Sequence, residues 1–443
     1  DPAKQRAKIQ GYTVLGRIDE LPDIVRKYAV EEAIVSMAQV SRDVIRRVVR
    51  LCEQAHVPAR IVPGYYELID GSLTASKIRD IDVSDLLGRE ETTLDGRAVV
   101  GLLGQKRVLV TGAGGTIGSE LVRQILRTGP EQLVLVERSE NALYEIEREI
   151  RKLGAETPVV ALLADIGERQ WMSDILGLYK PHVVVHAAAH KHVPLMEQNP
   201  EEAILNNVGG TRTLLRLAAS HETERFVNIS TDKAVNPINF MGASKRVVEL
   251  LVQVNDGRER LHATSVRFGN VLGSEGSVTE AFQEQLEKSR TLYVTDPAME
   301  RFFMLIPEAV QLVLQAGALA QGHDIYVLRM GEPIKILDLA RSYIKLSGLE
   351  VGVDATIAIS GNRGNEKITE HLWSSVEKVV PTTHDSILRV ECPMIPELAA
   401  LRQAIDNLLN ATRSHDIHAM REALHAVDPT ISIPEAAEDT PPS

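Results

Sequence analysis

Apolar and polar positions along this chain fall into short blocks whose period switches between that of a strand and that of a helix. Residues 12–64 predict Tyr12-Thr-Val-Leu-Gly16 as a strand, Leu21 to Tyr28 as a helix and Glu32-Ala-Ile-Val-Ser36 as a second strand. A helix from Ser41 follows, with Ser41 as its N-cap, and then a third strand at Ala59-Arg-Ile-Val-Pro63. In that helix Val44, Ile45, Val48, Val49, Leu51 and Cys52 share one face, while Arg46, Arg47 and Arg50 take the other. A second run of alternation begins at Lys106-Arg-Val-Leu-Val110 and continues to residue 235. Its apolar stretches, Val159 to Ala164 and Val183 to Ala189, have the length of buried strands. Such repetition favours a parallel α/β sheet.

The pattern divides the chain into a partial α/β unit over 1–90, a polar linker over 91–104 and a main domain over 105–395. The main domain is expected to bind a nucleotide through 105–261 and a substrate through 262–395, where the periodicity becomes mixed. Two helical stretches follow within 396–433, and 434–443 reads as a disordered tail. The first unit has no glycine-rich loop and starts where a preceding strand and helix would be expected, so the chain reads as a piece of something longer.

Composition narrows the choices. With 49 basic and 61 acidic side chains the net charge is −12, which argues against nucleic acid as a partner. The two cysteines, Cys52 and Cys392, cannot build a disulfide framework, and no Cys/His spacing suggests a metal site.

Val108-Leu-Val-Thr-Gly-Ala-Gly-Gly-Thr-Ile-Gly118 is a buried strand running into a glycine-rich turn and a helix expected over Ser119 to Arg127. Gly112, Gly115 and Gly118 would give a tight turn, close approach to a pyrophosphate and a helix N-terminus aimed at its charge, with Thr116 and Ile117 between them. The next strand, Leu133-Val-Leu-Val136, ends in Glu137, which can accept from ribose hydroxyls and repel a 2′-phosphate. NAD is therefore favoured over NADP, with Arg138 as the counter-signal. Asp165 and Ile166 follow the third strand, near the expected adenine, with a helix cap as the lesser alternative for Asp165. Together these features indicate a Rossmann-type doubly wound parallel sheet with a smaller substrate-binding portion, preceded by a partial second Rossmann-like unit.

Ser230-Thr-Asp-Lys233 sits where the strand Phe226-Val-Asn-Ile-Ser230 ends, at the sheet edge that binds ligands. Taken alone, Asp232 and Lys233 would read as a solvated turn pair, and Met241, four residues before Lys245 on the next helix, as core filling.

Thr-Gly-x-x-Gly-x-x-Gly, His186-Ala-Ala-Ala189, Asn207-Val-Gly-Gly-Thr211 and the helix carrying Lys245 together resemble the extended short-chain dehydrogenases/reductases. His190-Lys-His-Val-Pro194, Ser230-Thr-Asp-Lys-Ala-Val-Asn-Pro237, Arg267-Phe-Gly-Asn-Val-Leu-Gly273 and Met330-Gly-Glu-Pro333 narrow the resemblance to nucleotide-sugar 4,6-dehydratases. It covers residues 105 to 375, and the first unit is similar to part of the domain that precedes it in the long, membrane-anchored branch. Most short-chain dehydrogenases place Tyr where Met241 stands; Met there resembles the long-branch UDP-N-acetylglucosamine 4,6-dehydratases, which retain configuration at C5.

The resemblance implies an NAD-dependent lyase serving bacterial polysaccharide synthesis. It oxidises the sugar at C4, eliminates water across C5 and C6, and returns the hydride to C6. Lys233 is the expected C5 base, Asp232 the acid for the leaving hydroxyl, Thr231 a partner of the C4 hydroxyl and Lys245 the holder of the nicotinamide ribose. The acceptor of the C4 proton is left open by Met241, with Asp232 the first candidate. Ala187 and Ala188 would line the cofactor, and Lys191, Asn270, Arg301, Arg363 and Glu366 the UDP-sugar. Gly364 and Asn365 depart from the family's Arg-Pro-Gly-Glu-Lys loop, and Glu275 stands where the family has Arg. The branch further implies a homo-oligomer at the cytoplasmic face of the bacterial inner membrane, anchored by segments outside this chain. A UDP-sugar 4-epimerase and a catalytically silent NAD- or UDP-sugar-sensing module are the alternatives.

Overall fold

The computed structural model describes residues 7–9, 11–36, 42–62, 79–80, 96–254, 261–362, 364–391 and 395–434. Ser41, Arg363, Cys392, most of the polar connector and the tail over 435–443 lie outside them. The chain divides into two units, Asp1–Thr92 with Leu339–Thr356 and Thr93–Asp338 with Ile357–Ser443.

In the smaller unit Ala33–Val35 pairs in parallel with Ala59–Ile61, and Arg79–Asp80 adds an antiparallel strand. Helix Arg42–Ala55 lays Ile45, Val48 and Cys52 onto Val35 and Ile61, the face its periodicity gives. Burial pushes the Cys52 thiol up, with Glu53 adding to the shift. Tyr12–Thr13 is not a strand of that sheet. Turning at Gly11, whose φ of 87° is left-handed, it folds back on Lys8–Ile9 as an exposed hairpin.

The larger unit is built on a nine-stranded sheet. In chain order its strands are β1 (Arg107–Thr111), β2 (Gln132–Glu137), β3 (Val159–Leu163), β4 (Val183–His186), β5 (Arg225–Thr231), β6 (His262–Phe268), β7 (Ile325–Leu328), β8 (Lys378–Pro381) and β9 (Ile387–Glu391). They lie in the order β3-β2-β1-β4-β5-β6-β7-β9-β8. The first seven run parallel, whereas β9 and β8 are antiparallel additions at the edge. β1, β2 and β4 are apolar over most of their length because both faces are covered. Val108 and Val110 enter one core with Leu133 and Val185, while Leu109 enters the opposite one with Val134 and Val184. Strand order reverses between β1 and β4, which opens a crevice at their carboxyl ends.

The principal helices are α1 (Gly96–Leu103), α2 (Thr116–Leu126), α3 (Glu140–Leu153), α4 (Arg169–Tyr179), α5 (Thr211–Ser220), α6 (Phe240–Val254), α7 (Ile306–Leu319), α8 (Leu398–Arg413) and α9 (Ile417–Val427). The linker expected over 91–104 is thus a helix in its second half. Leu102 and Leu103 belong to the main core, and Gly317 of α7 lets Leu102 pack close.

Arg267 on β6 is a fully buried charge, at 0% exposure. Its five N–H donors are all engaged: Nε and Nη2 reach Glu249 of α6 at 3.0 and 2.7 Å, and Nη1 and Nη2 reach Glu377 at 3.0 and 3.1 Å. The remaining Nη1 hydrogen goes to the Leu372 carbonyl at 2.9 Å. Glu249 also accepts from Ser230 Oγ at 2.6 Å and from Arg246, which bonds Asp428 beyond α9 at 2.7 Å. Despite burial, the two arginines hold the Glu249 carboxyl below its usual range. Replacing Arg267 by Met leaves both carboxylates buried without their guanidinium, so Arg267→Met is expected to lower unfolding free energy by about 3–5 kcal/mol. Urea unfolding checks this, read by the fluorescence of Trp171 and Trp373, the chain's two tryptophans, both in this unit.

Candidate active site

The turn between β1 and α2 is shaped by backbone proximity. Gly112 has a φ of 65°, and a Cβ there would lie 2.7 Å from the Ala188 amide. A Cβ on Gly118 would lie 1.8 Å from the Gly112 carbonyl, so this glycine serves close contact between helix and strand. The helix begins at Thr116 instead of Ser119, which puts Thr116, Ile117 and Gly118 in its first turn. Gly115 is its N-cap and no side chain caps it, so the first-turn amides suit an anion. Gly114 was not singled out from sequence, yet a Cβ there would lie 2.6 Å from Ala142 Cβ of α3. Its signal was the Gly114-Gly115 pair itself.

Glu137 closes this cradle from the end of β2. Its carboxylate accepts from the amides of Gly114 at 3.0 Å, Arg138 at 2.8 Å and Ser139 at 3.0 Å. A carboxylate offers about four acceptor positions, so one remains for a ligand hydroxyl. Arg138 turns instead toward His190 Nε2 at 3.2 Å and Asp165 at 3.7 Å. Asp165 accepts from the Gly167 amide at 2.8 Å, while Ile166 is buried under Gly210. The Ala187 amide bonds the Thr111 carbonyl at 3.1 Å, placing Ala187 and Ala188 across from the glycine turn. These residues therefore gather along the edge formed by β1 to β4, as a dinucleotide requires. Beneath them His186 bridges Thr111 at 2.7 Å and Thr211 at 2.8 Å, and burial, with Lys245 nearby, lowers its pKa to about 3. It is a neutral structural imidazole.

At the end of β5, Thr231 Oγ1 donates to Asp232 Oδ1 at 2.9 Å. Lys233 Nζ donates to the same oxygen at 3.0 Å and to Asn270 Oδ1 at 2.9 Å. Asp232 is not a solvated turn acid: it is 0% exposed, and its Oδ2 has no hydrogen-bond partner among the described residues. On α6, Met241 is buried in the core between this helix and the C-terminal pair, as a core-filling methionine would be. α6 starts at Phe240, so Met241 and Lys245 lie one turn apart inside it. Lys245 Nζ donates to the Ile229 carbonyl at 2.6 Å, under the strand that carries Thr231. Asn207 reaches the Met241 turn from the other side, donating to Ser244 Oγ at 2.9 Å and to the His190 carbonyl at 3.0 Å.

A cavity of about 260 Å³ opens beside Lys233 and is lined by Asn239, Asn270, Arg301, Glu366 and Glu370 among others. Asn270, Arg301 and Glu366 are thus brought to one place. Arg301 is held by the carbonyls of Glu300 and Ile368 at 2.8 and 3.0 Å. Lys191 lies outside that lining, bonded to the Glu275 carbonyl at 2.8 Å, and burial pushes its pKa down. Glu370 went unnoticed in the sequence, and Lys367, though it ends the loop quoted there, was given no role of its own. Lys367 lies 3.6 Å from Glu370, and its ammonium, lowered by burial, also feels Asp232 and Lys233.

This sheet order, glycine turn and lysine-bearing helix define an extended short-chain dehydrogenase/reductase. Residues 108–392 match the family described as "Polysaccharide biosynthesis protein", and the chain belongs to it. It is 41% identical over 87% of its length to the capsular polysaccharide biosynthesis protein CapD of Staphylococcus aureus. It is 42% identical over 87% of its length to the probable polysaccharide biosynthesis protein EpsC of Bacillus subtilis. The chain spans 64% and 65% of those two proteins. A UDP-N-acetylglucosamine 4,6-dehydratase (inverting) of Campylobacter jejuni is 29% identical over 62% of this chain and 79% of its own. Among solved structures, Pen from Bacillus thuringiensis superposes with a TM-score of 0.61 at 30% identity, covering 66% of this chain and 90% of that one. No helix among the described residues is long and apolar enough to cross a membrane.

Burial lowers the pKa of Lys245 to about 8 from 10.5, with Glu249 opposing. Between those values the unfolded chain binds more protons than the folded one, so stability rises with pH across this window. In Lys245→Met that rise is expected to be smaller than in the parent, as urea unfolding at successive pH values from 7.5 to about 10.5 will read.

Proposed function

We propose that this chain performs the NAD-dependent dehydration of UDP-N-acetylglucosamine to a UDP-4-keto-6-deoxy amino sugar, with configuration at C5 retained. The observation that carries the reading is that Lys233 and Asn270 line the 260 Å³ cavity with Asp232 bonded to Lys233 behind them, and that Met241 lies one helical turn from Lys245. The cradle fits a dinucleotide because α2 is uncapped and Gly112 admits a close backbone approach. Its amides at Thr116, Ile117 and Gly118 would hold the pyrophosphate, Glu137 the adenosine ribose and Lys245 the nicotinamide ribose. NAD fits better than NADP because Glu137 would repel a 2′-phosphate. When bound, NAD supplies a hydride acceptor for C4 and a hydride donor for C6.

The chain's own groups supply the rest. Thr231 holds the C4 hydroxyl, and Asp232 is the candidate to take its proton. The resulting ketone acidifies the C5 proton, which Lys233 removes while the C6 hydroxyl departs with a proton from Asp232. Asp232 and Lys233, 3.0 Å apart, can share a proton in two arrangements. Only the arrangement with a protonated acid and a free amine provides both the acid and the base that elimination needs. Asn270, accepting from Lys233, orients the amine toward the sugar. Arg301 suits the diphosphate as a fork-shaped donor, Glu366 the nucleoside, and Lys191 and Arg363 further contacts. The relatives' names support work in polysaccharide synthesis, and we further propose a homo-oligomer at the cytoplasmic face of the bacterial inner membrane.

Met241 has no proton to exchange, which weighs against a 4-epimerase relying on a tyrosine there. Incubated with NAD and UDP-N-acetylglucosamine in heavy water, the protein is expected to release one water per sugar and to take deuterium at C5. An unchanged mass with inversion at C4 would favour the epimerase, and binding without turnover a sensing module. Lys233→Ala is expected to lower dehydration by at least about 10²-fold while NAD binding persists, as mass spectrometry and NAD titration will read.

A further inference from the structure

A cleft of about 500 Å³ lies apart from the cavity beside Lys233. One end carries Arg138 and Asp165, where the adenosine of a dinucleotide would lie, and the cleft continues to a wall of Arg169, Arg212, Arg216 and Arg413 from α4, α5 and α8. We infer that this arginine wall is a second anion site, separate from the pyrophosphate cradle, that takes a small molecule carrying two or more phosphates.

Three observations support it. First, the Asp406 carboxylate is shared among three guanidiniums. Asp406 accepts from Arg212 at 2.6 Å, and that bond, opposed by burial and aided by the charges of Arg212, Arg216 and Arg413, holds its carboxyl below the usual range. Second, the guanidinium of Arg216 is pushed down by burial and then by Arg212 and Arg402, with Asp406 acting against them and Arg169 adding to the shift. Like charges this crowded, in a chain of net charge −12, mark a place where an added anion relieves repulsion. Third, Arg212 is 9% exposed, and its Nε is buried without a hydrogen-bond partner among the described residues.

The acids of the cleft, Asp165, Glu168 and Glu202, are fewer than its five arginines. Asp165 is engaged with Arg138 and the Gly167 amide, Glu202 lies 3.7 Å from His190, and Glu168 precedes α4 beside Arg169. Planar forks on three helices suit a chain of phosphates better than a single carboxylate. The π-helical segment Ala203–Gly210 lines the same cleft through Leu205, Asn206 and Gly209. It also positions Asn207 at the Met241 turn, so an anion held here would bear on the segment that supports α6.

The test is calorimetric titration of the whole chain with inorganic tripolyphosphate, with and without saturating NAD. One molecule is expected to bind per chain in both conditions, more weakly as salt rises. Arg216→Gln/Arg413→Gln is expected to weaken binding about tenfold or more, whereas Arg216→Lys/Arg413→Lys keeps most of it because the charge remains. NAD titration of each variant reports that the sheet edge is intact. Absence of tripolyphosphate binding, displacement by NAD, or equal binding by the glutamine variant would each overturn the inference. None of these outcomes bears on the dehydratase reading, which is judged by turnover alone.

Discussion

The guanidinium of Arg267 is the interaction on which the larger unit depends. It fastens β6, α6 and the segment leading into β8, and every hydrogen it can donate is taken. A charge at 0% exposure is tolerable only when its partners are fixed and complete. Two carboxylates and a carbonyl complete this one, so the elements carrying them have little freedom to move.

That constraint reaches the chemistry through Ser230, which donates to Glu249 at 2.6 Å and immediately precedes Thr231. Lys245 lies one helical turn before Glu249 on α6 and bonds the Ile229 carbonyl. The end of β5 is therefore gripped from beneath at consecutive residues, leaving Thr231, Asp232 and Lys233 to emerge at the sheet edge in one orientation. Asp428 extends the network to the C-terminal helices through Arg246, so residues beyond 396 help hold the site although none lines its cavity. Rigid support of this kind is what lets an acid and a base 3.0 Å apart keep distinct tasks.

Much of this was legible in the residue order. Apolar strands bounded by glycine and charged caps gave the parallel sheet, and the glycine turn followed by a strand ending in Glu137 gave the dinucleotide edge. Other features were not. Tyr12–Thr13 carries strand-forming residues but folds as an exposed hairpin, because nothing in a local pattern says which strand will find a buried neighbour. Gly96–Leu103 looked like part of a connector, since its apolar side gains meaning only against α7. Arg267 and Glu249 did leave a trace: each is a charge inside an otherwise apolar run. A charge in such a run states a need for a partner without naming it.

What the sequence determined by itself is whatever depends on neighbours a few residues apart: helix faces, strand lengths, the glycine turn and the adjacency of Thr231, Asp232 and Lys233. The tertiary structure alone decided that Asn270 meets Lys233, that one arginine satisfies Glu249 and Glu377, and that Asp406 is shared among arginines of two helices. The physical reason is range. Backbone preference and periodicity act within a turn or a pleat, whereas hydrogen bonds and buried charges couple residues that only the packed sheet and its helices bring together.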